Sequence, residues 1–155
     1  MDETRRKEEL ICKLGLLPHP EGGYFKELFH GEEREGRPLY SSILFLLGEN
    51  DISHLHVLKE DEVWYYHEGK DCQIYEIDPS GKLTITSLGK TAGIYQHRVV
   101  KGNIFGSRIQ GKGYSLVGCM VSPAFTYDHF HLVTEEELPK MKEEERKKVL
   151  GMILP

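Results

Sequence analysis

Ser53-His54-Leu55-His56-Val57-Leu58-Lys59-Glu60-Asp61-Glu62-Val63-Trp64-Tyr65-Tyr66-His67, bracketed by Gly48 and Gly69, reads as two short strands joined by a tight turn at Lys59–Asp61. Strand side chains alternate between faces, so His54 and His56 are expected on the same face. If the turn returns the chain antiparallel, Glu62, Trp64 and Tyr66 line one face of the neighbouring strand. Two imidazoles and a carboxylate then converge on one hollow. Such a group can hold a divalent metal or supply acid–base partners with tuned pKa values. A plainer outcome stays open, with one histidine bonded to a carbonyl and the other in solvent.

Outward from this pair, the chain between Gly23 and Val121 is a series of short apolar or alternating runs. The expected strands are Tyr24–Phe29, Tyr40–Leu47, His54–Leu58, Glu62–His67, Gln73–Ile77, Leu83–Leu88, Ile94–Val100, Ile104–Ile109 and Tyr114–Val121. Turn-forming sequences separate them, among them Gly48-Glu49-Asn50-Asp51, Glu68-Gly69-Lys70-Asp71, Asp78-Pro79-Ser80-Gly81 and Gly111-Lys112-Gly113. No helical segment intervenes to make parallel crossovers, so the strands predict an antiparallel sandwich or barrel, an all-β fold. The ends read as helices. Thr4 is placed to cap a helix carrying Leu10, Ile11 and Leu14, with Gly15 as its stop. Thr134-Glu135-Glu136-Glu137 is a capping-box pattern, and Pro139 divides it from a second helix through Lys140–Leu150.

The 155 residues fit one domain, and the excess of acidic over basic side chains leaves a net charge of −5. That balance argues against nucleic-acid binding, which needs a basic surface. The longest apolar run, Ile43–Leu47, is too short to span a bilayer, and no apolar core follows Met1-Asp2-Glu3-Thr4-Arg5-Arg6-Lys7, so a cytoplasmic location is expected. Cys12, Cys72 and Cys119 lack metal-type spacing and are expected as buried, reduced thiols.

The arrangement Gly48…His54-Leu55-His56…Glu62…Gly69 resembles the first motif of the cupin superfamily, small double-stranded β-helix barrels that often hold a metal on His-x-His, Glu and a later His. Glu62 lies a residue or two late for that motif. In the second motif, Val100 stands in place of a proline and Phe105 in place of the fourth metal ligand. A benzyl group cannot coordinate a metal, so no metal and no cofactor is expected.

A narrower resemblance runs through Leu14-Gly15-Leu16, His19-Pro20-Glu21-Gly22-Gly23-Tyr24-Phe25-Lys26-Glu27, Ser41-Ser42-Ile43 and Phe45-Leu46-Leu47. It continues in Ser53, His56, Asp61-Glu62-Val63-Trp64, Tyr66-His67, Gly69, Gly102, Tyr114–Cys119 and Val121–Phe125. These residues are similar to the family of small cupins labelled predicted sugar epimerases. Relatives there commonly have glutamine at the place of Phe105 and glycine at that of Ala124.

The resemblance implies a cupin jelly-roll barrel over about 23–131 within a single domain of 1–155, helical ends at about 4–15 and 134–150, and a homodimer. It also implies a sugar or nucleotide-sugar epimerase or isomerase. His56 or His54 would be the base, Tyr66 or Tyr24 the acid, and Glu62 the group that orients the histidine. Lys26 or Arg108 would meet phosphate oxygens. In the alternative of a binding module for a nucleotide, sugar or nucleotide sugar, Tyr24, Trp64, Tyr66 and Phe105 stack on rings, and Ser41, Ser42 and the histidines supply hydrogen bonds. A metal-dependent cupin enzyme would need a further ligand such as His97. Glu21 is read either as edging the barrel mouth, with Tyr24 or Lys26, or as a structural group satisfying backbone amides, and His129-Phe130-His131 as packing and surface.

Overall fold

The structure, a computed structural model, describes residues 2–155. Helix α1 (Glu3–Leu14) starts where the Asp2 carboxylate accepts the Thr4 backbone N–H at 3.1 Å, and it ends where Gly15 turns left-handed at φ 66°. The cap is therefore Asp2, not Thr4. An ionised carboxylate satisfies a free amide and also meets the positive end of the helix dipole.

Thirteen strands follow: β1 (Leu17–Pro18), β2 (Tyr24–His30), β3 (Glu33–Arg34), β4 (Arg37–Pro38), β5 (Ser41–Gly48), β6 (Ser53–Leu58) and β7 (Glu62–Gly69), then β8 (Cys72–Ile77), β9 (Leu83–Leu88), β10 (Gln96–Val99), β11 (Ile104–Arg108), β12 (Tyr114–Val121) and β13 (Phe130–Leu132). Every strand expected from the sequence is present to within two residues of its bounds. The two-residue pieces and β13 carry too little pattern to be read in advance. Thr134 and Glu137 do form their reciprocal cap, but it closes a single 3-10 turn. Leu138, held extended before Pro139, stops it, and α2 (Glu143–Leu150) begins afterwards.

All pairings are antiparallel. A six-stranded sheet runs β1-β2-β5-β12-β7-β10, a five-stranded sheet runs β13-β6-β11-β8-β9, and β3–β4 is a separate hairpin. The main core joins both sheets through Phe45, Trp64, Ile74, Leu88, Phe105 and Val117. Leu10 of α1 packs with Leu46, Tyr114 and Leu116 on the outside of the larger sheet. Val149 and Met152, from α2 and the turn after it, pack with Leu55, Tyr75 and Ile77 on the outside of the smaller one. Of the cysteines, Cys72 and Cys119 are buried as expected, whereas Cys12 is exposed on α1. Among the described residues, no helix is long and apolar enough to cross a membrane.

Three irregularities in register decide what faces the interior. On β6, His56 lies opposite Phe105 and Ser53 opposite Ser107, so three residues of β6 span two of β11. The extra residue is a β-bulge, which turns Ser53 onto the face of His56 and rotates His54 off it. On β7, Tyr66 pairs with Val117 and Glu68 with Leu116, so His67 is the bulged residue. On β2, Leu28 is skipped between the pairs Glu27–Ile43 and Phe29–Ser42.

The turn before β2 is as tightly specified. Gly22 has φ 113°, and a Cβ there would lie 1.8 Å from the Ile52 carbonyl oxygen. Only glycine lets the turn lie against the chain that leads into β6. Gly22→Ala is therefore expected to cost more than about 2 kcal/mol of stability in urea unfolding; an unchanged midpoint would show that this close approach is not needed.

Candidate functional site

A cavity of about 270 Å³ opens between the sheets. Its polar residues are His19 and Glu21 from the turn before β2, Glu27 of β2, Ser41 of β5, His56 of β6, Glu62 of β7 and Cys119 of β12. Phe25, Phe45 and Trp64 form aromatic walls, with Phe125 and Tyr127 from the segment after β12.

Hydrogen bonds fix the proton arrangement in the polar floor. His56 Nδ1 lies 2.7 Å from the His54 carbonyl, which only accepts, so Nδ1 carries hydrogen. His56 Nε2 lies 3.0 Å from Glu21 Oε2. At this separation a single proton held by either group, as neutral imidazole with carboxylic acid or as imidazolium with carboxylate, relieves the repulsion between facing lone pairs. Ser53 Oγ–H donates to the other Glu21 oxygen at 2.9 Å. Both members are buried, His56 being 3% and Glu21 7% exposed. Burial drives His56 down to about 4, against the opposing pull of the His54 carbonyl, and raises Glu21 above the usual carboxylate range. Both directions favour the neutral form, because an isolated charge is costly in this medium.

His19 completes this floor. The Glu21 backbone N–H donates to its Nδ1 at 3.1 Å, so that nitrogen is an acceptor, and burial depresses its pKa. Glu62 enters from the opposite sheet and makes no ion pair among the described residues; its polar neighbour is the Trp64 indole. Burial first, then the nearby Glu21 carboxyl, push it up to about 8, with the Trp64 indole pulling the other way. The Trp64 Nε1–H is itself buried and has no other partner. Cys119 is held as an inert thiol, raised well above its ordinary value by burial and then by Glu62 and Glu21.

The roof is fastened by charge. The Phe125 backbone N–H donates to Ser41 Oγ at 2.9 Å, and the Arg37 guanidinium donates to the Ala124 carbonyl. Arg37 also reaches Glu60 at 3.2 Å, and Glu60 meets His129 Nδ1 at 2.7 Å. Glu60 is buried, so this ionic clasp carries more weight than a surface pair. His129, expected as packing and surface, is thus part of the clasp. His131 does lie at the surface, bonded to Glu137 at 2.6 Å.

The residues expected at the site divide sharply. His56, Glu62, Ser41 and Trp64 line the cavity. Phe105 lies behind it, its ring 4.1 Å from that of His56. His54 does not line the cavity; the bulge turns its Nδ1–H onto the Glu21 carbonyl at 2.7 Å, where it positions Glu21. Tyr66 faces the core near the far end of β7, donating to the Gly69 carbonyl at 2.7 Å with its ring edge-on to Tyr95.

On β2 the expected parity is off by one. Phe25 and Glu27 point inward, while Tyr24 packs under α1 and Lys26 is exposed. Ser42 takes the opposite face to Ser41 and leaves the cavity. Arg108 lies over the Tyr75 ring at 5.2 Å, away from the opening. Sequence reasoning missed His19, Phe25, Glu27 and Tyr127, whereas Glu21 takes the first of its two expected places, in the cavity lining. The available signal was Pro20-Glu21-Gly22-Gly23, a turn whose glycines permit a carboxylate to fold inward.

A cupin-type metal does not fit these residues. His54 faces away and donates to a carbonyl, and Phe105 fills the place of the last ligand. Among the described residues, no three His, Cys, Asp or Glu side chains converge in a metal-holding arrangement. His97, the further ligand considered, bonds Glu76 at 3.0 Å instead of lining the cavity.

A family model described as Cupin superfamily (DUF985) matches residues 8–133. Protein SO0799 from Shewanella oneidensis is 41% identical, with a TM-score of 0.89 and coverage of 100% of this chain and 99% of that one. A hypothetical protein from Leishmania major is 32% identical, with a TM-score of 0.84 and coverage of 96% of this chain and 98% of that one. Oxalate decarboxylase from Bacillus subtilis is 18% identical with a TM-score of 0.61, covering 89% of this chain and 39% of its own, a likeness of fold alone. No curated protein matches the chain. Strand order, barrel and sequence agree: the chain belongs to the cupin superfamily, in the family described as DUF985.

Proposed function

We propose that the barrel binds a small polar metabolite and moves a proton on it, in the manner of a sugar isomerase or epimerase. The observation that carries this reading is the buried approach of His56 Nε2 to Glu21 Oε2, 3.0 Å apart, in a cavity that Glu62 enters from the other sheet. Removing a proton beside a carbonyl and returning it elsewhere needs a base and an acid near neutral pH. Glu62, pushed up to about 8, is matched to that task. The His56–Glu21 pair is the second proton holder, kept in place by the His54 carbonyl and the Ser53 hydroxyl. In this reading Tyr66 and His54 have no contact with the reacting atoms.

A second reading, a binding module without chemistry, draws on the aromatic walls of Phe25, Phe45, Trp64 and Phe125. The expected homodimer fits either reading. β1 covers only Tyr24 and Phe25 of β2, leaving a strand edge beside exposed Leu28 and Phe29 for a second copy. Light scattering should then give twice the 17.8 kDa chain mass, and a monomer would remove the dimer from the proposal.

The deciding measurement is exchange of sugar carbon-bound hydrogen in deuterated water, followed by NMR. Wild-type protein should catalyse exchange, and Glu62→Gln and Glu21→Gln should each lower it by about 10²–10⁴-fold while keeping the native circular dichroism spectrum. Binding of a sugar without exchange would leave the module reading in place.

Protonation also shapes stability. A carboxyl raised to about 8 holds its proton more tightly in the folded chain, so its contribution is full below about 4.5 and is lost as pH rises to 8. His56 acts oppositely, adding stability as pH climbs from about 4 to 6.5. Above 6.5 the raised carboxyls alone set the slope. Tm is therefore expected to fall between pH 6.5 and 8.5, and Glu62→Gln should flatten that fall; parallel profiles for the two proteins would contradict the assignment.

A further inference from the structure

We infer that the cavity selects a single-ring ligand presenting hydroxyl or ammonium groups and carrying no phosphate, a reading that rests on this cavity being the ligand site proposed above. Glu21, Glu27 and Glu62 all line it, and no lysine or arginine does. The cations that could have met a phosphate are elsewhere, Lys26 in solvent and Arg108 over Tyr75. A phosphate here would lose its water and face carboxyl groups with no counter-charge, an arrangement that low-dielectric surroundings penalise heavily. A hydroxyl or ammonium meets the same groups as a hydrogen-bond donor.

An independent observation points to a ligand. The buried Glu62 carboxyl lines the cavity without an ion-pair partner among the described residues, and its one polar neighbour is the Trp64 Nε1–H, which has no other partner. Unmet buried polar groups are costly, and native chains leave few of them. A ligand hydroxyl donates to the Glu62 oxygen that the indole leaves open. An ammonium satisfies Glu62 and gains from the aromatic walls. Phe45 and Trp64 meet edge to face at 6.0 Å, as do Phe125 and Tyr127 at 5.0 Å, and such walls pack the C–H face of a saturated ring. At about 270 Å³ the cavity lies below the range of about 300–1,000 Å³ usual for drug-sized ligands, too small for a nucleotide joined to a sugar.

The test is calorimetric titration of the full chain with matched probes: glucose, galactose and mannose, their 2-amino forms, their 6-phosphates, and UDP-glucose. At least one neutral or amino sugar should bind at least tenfold more tightly than its own 6-phosphate, and UDP-glucose should not bind. Glu27→Lys, a change at a half-exposed position, should narrow the gap by raising affinity for the phosphate. A phosphate or nucleotide-linked form that binds as tightly as its parent overturns the inference, and so does silence in every series. Isotope exchange separates the two claims. A neutral sugar bound without exchange supports this selectivity and removes the proton-transfer reading; exchange on a phosphorylated sugar does the reverse.

Discussion

The site depends on one buried contact, Glu21 Oε2 to His56 Nε2 at 3.0 Å. Neither group is stable alone in the interior, because a lone carboxylate or imidazolium there loses its hydration without compensation. Sharing one proton removes the difficulty, and the surrounding bonds are arranged to keep it so. The His54 carbonyl holds the hydrogen on Nδ1, Ser53 satisfies the second carboxyl oxygen, and His54 Nδ1–H fastens the Glu21 backbone. Each of these partners comes from the start of β6 or from the turn that Gly22 lets approach it, so the polar floor and the strand pairing stand or fall together.

This barrel shares its architecture with oxalate decarboxylase from Bacillus subtilis but arms its interior differently from the cupin pattern of converging histidines. Phe105 packs its ring against His56 where another donor would stand. The replacement seals one side of the imidazole from water and deepens the burial that keeps it neutral. Polar chemistry is shifted toward the turn before β2 and toward Glu62. The titratable groups of the interior are then carboxyls and imidazoles whose protons are held tightly or loosely by their surroundings.

The barrel itself was legible because strand patterning and turn residues agree along the whole chain, from Gly48-Glu49-Asn50-Asp51 to Gly111-Lys112-Gly113. His56, Glu62, Trp64 and Ser41 were legible for the same reason, since each sits on a strand whose phase the apolar residues reveal. The failures are failures of phase. His54 was assigned by strict alternation, and the bulge between Ser53 and His56 breaks it. Tyr24 and Lys26 were chosen over Phe25 and Glu27 because β2 alternates weakly, with apolar residues on both its faces. Arg108 was read as a phosphate partner from its charge alone, while its position on β11 commits it to Tyr75. Tyr127 and the clasp of Arg37, Glu60 and His129 come from segments distant in sequence, which no local pattern brings together.

The irregular pairing of β6 also sets a constraint on the length of the chain. One strand here carries two incompatible tasks: Leu55 anchors the layer beneath α2, while its neighbours on either side furnish the polar floor. Removing a single residue between Ser53 and His56 would restore plain alternation, so both would keep the inner face, but either Leu55 and its anchor or His54 and its bond to the Glu21 carbonyl would be lost. The number of residues at this point thus matters as much as their kinds, because the extra one lets a single strand hold both the anchor and the group that positions Glu21.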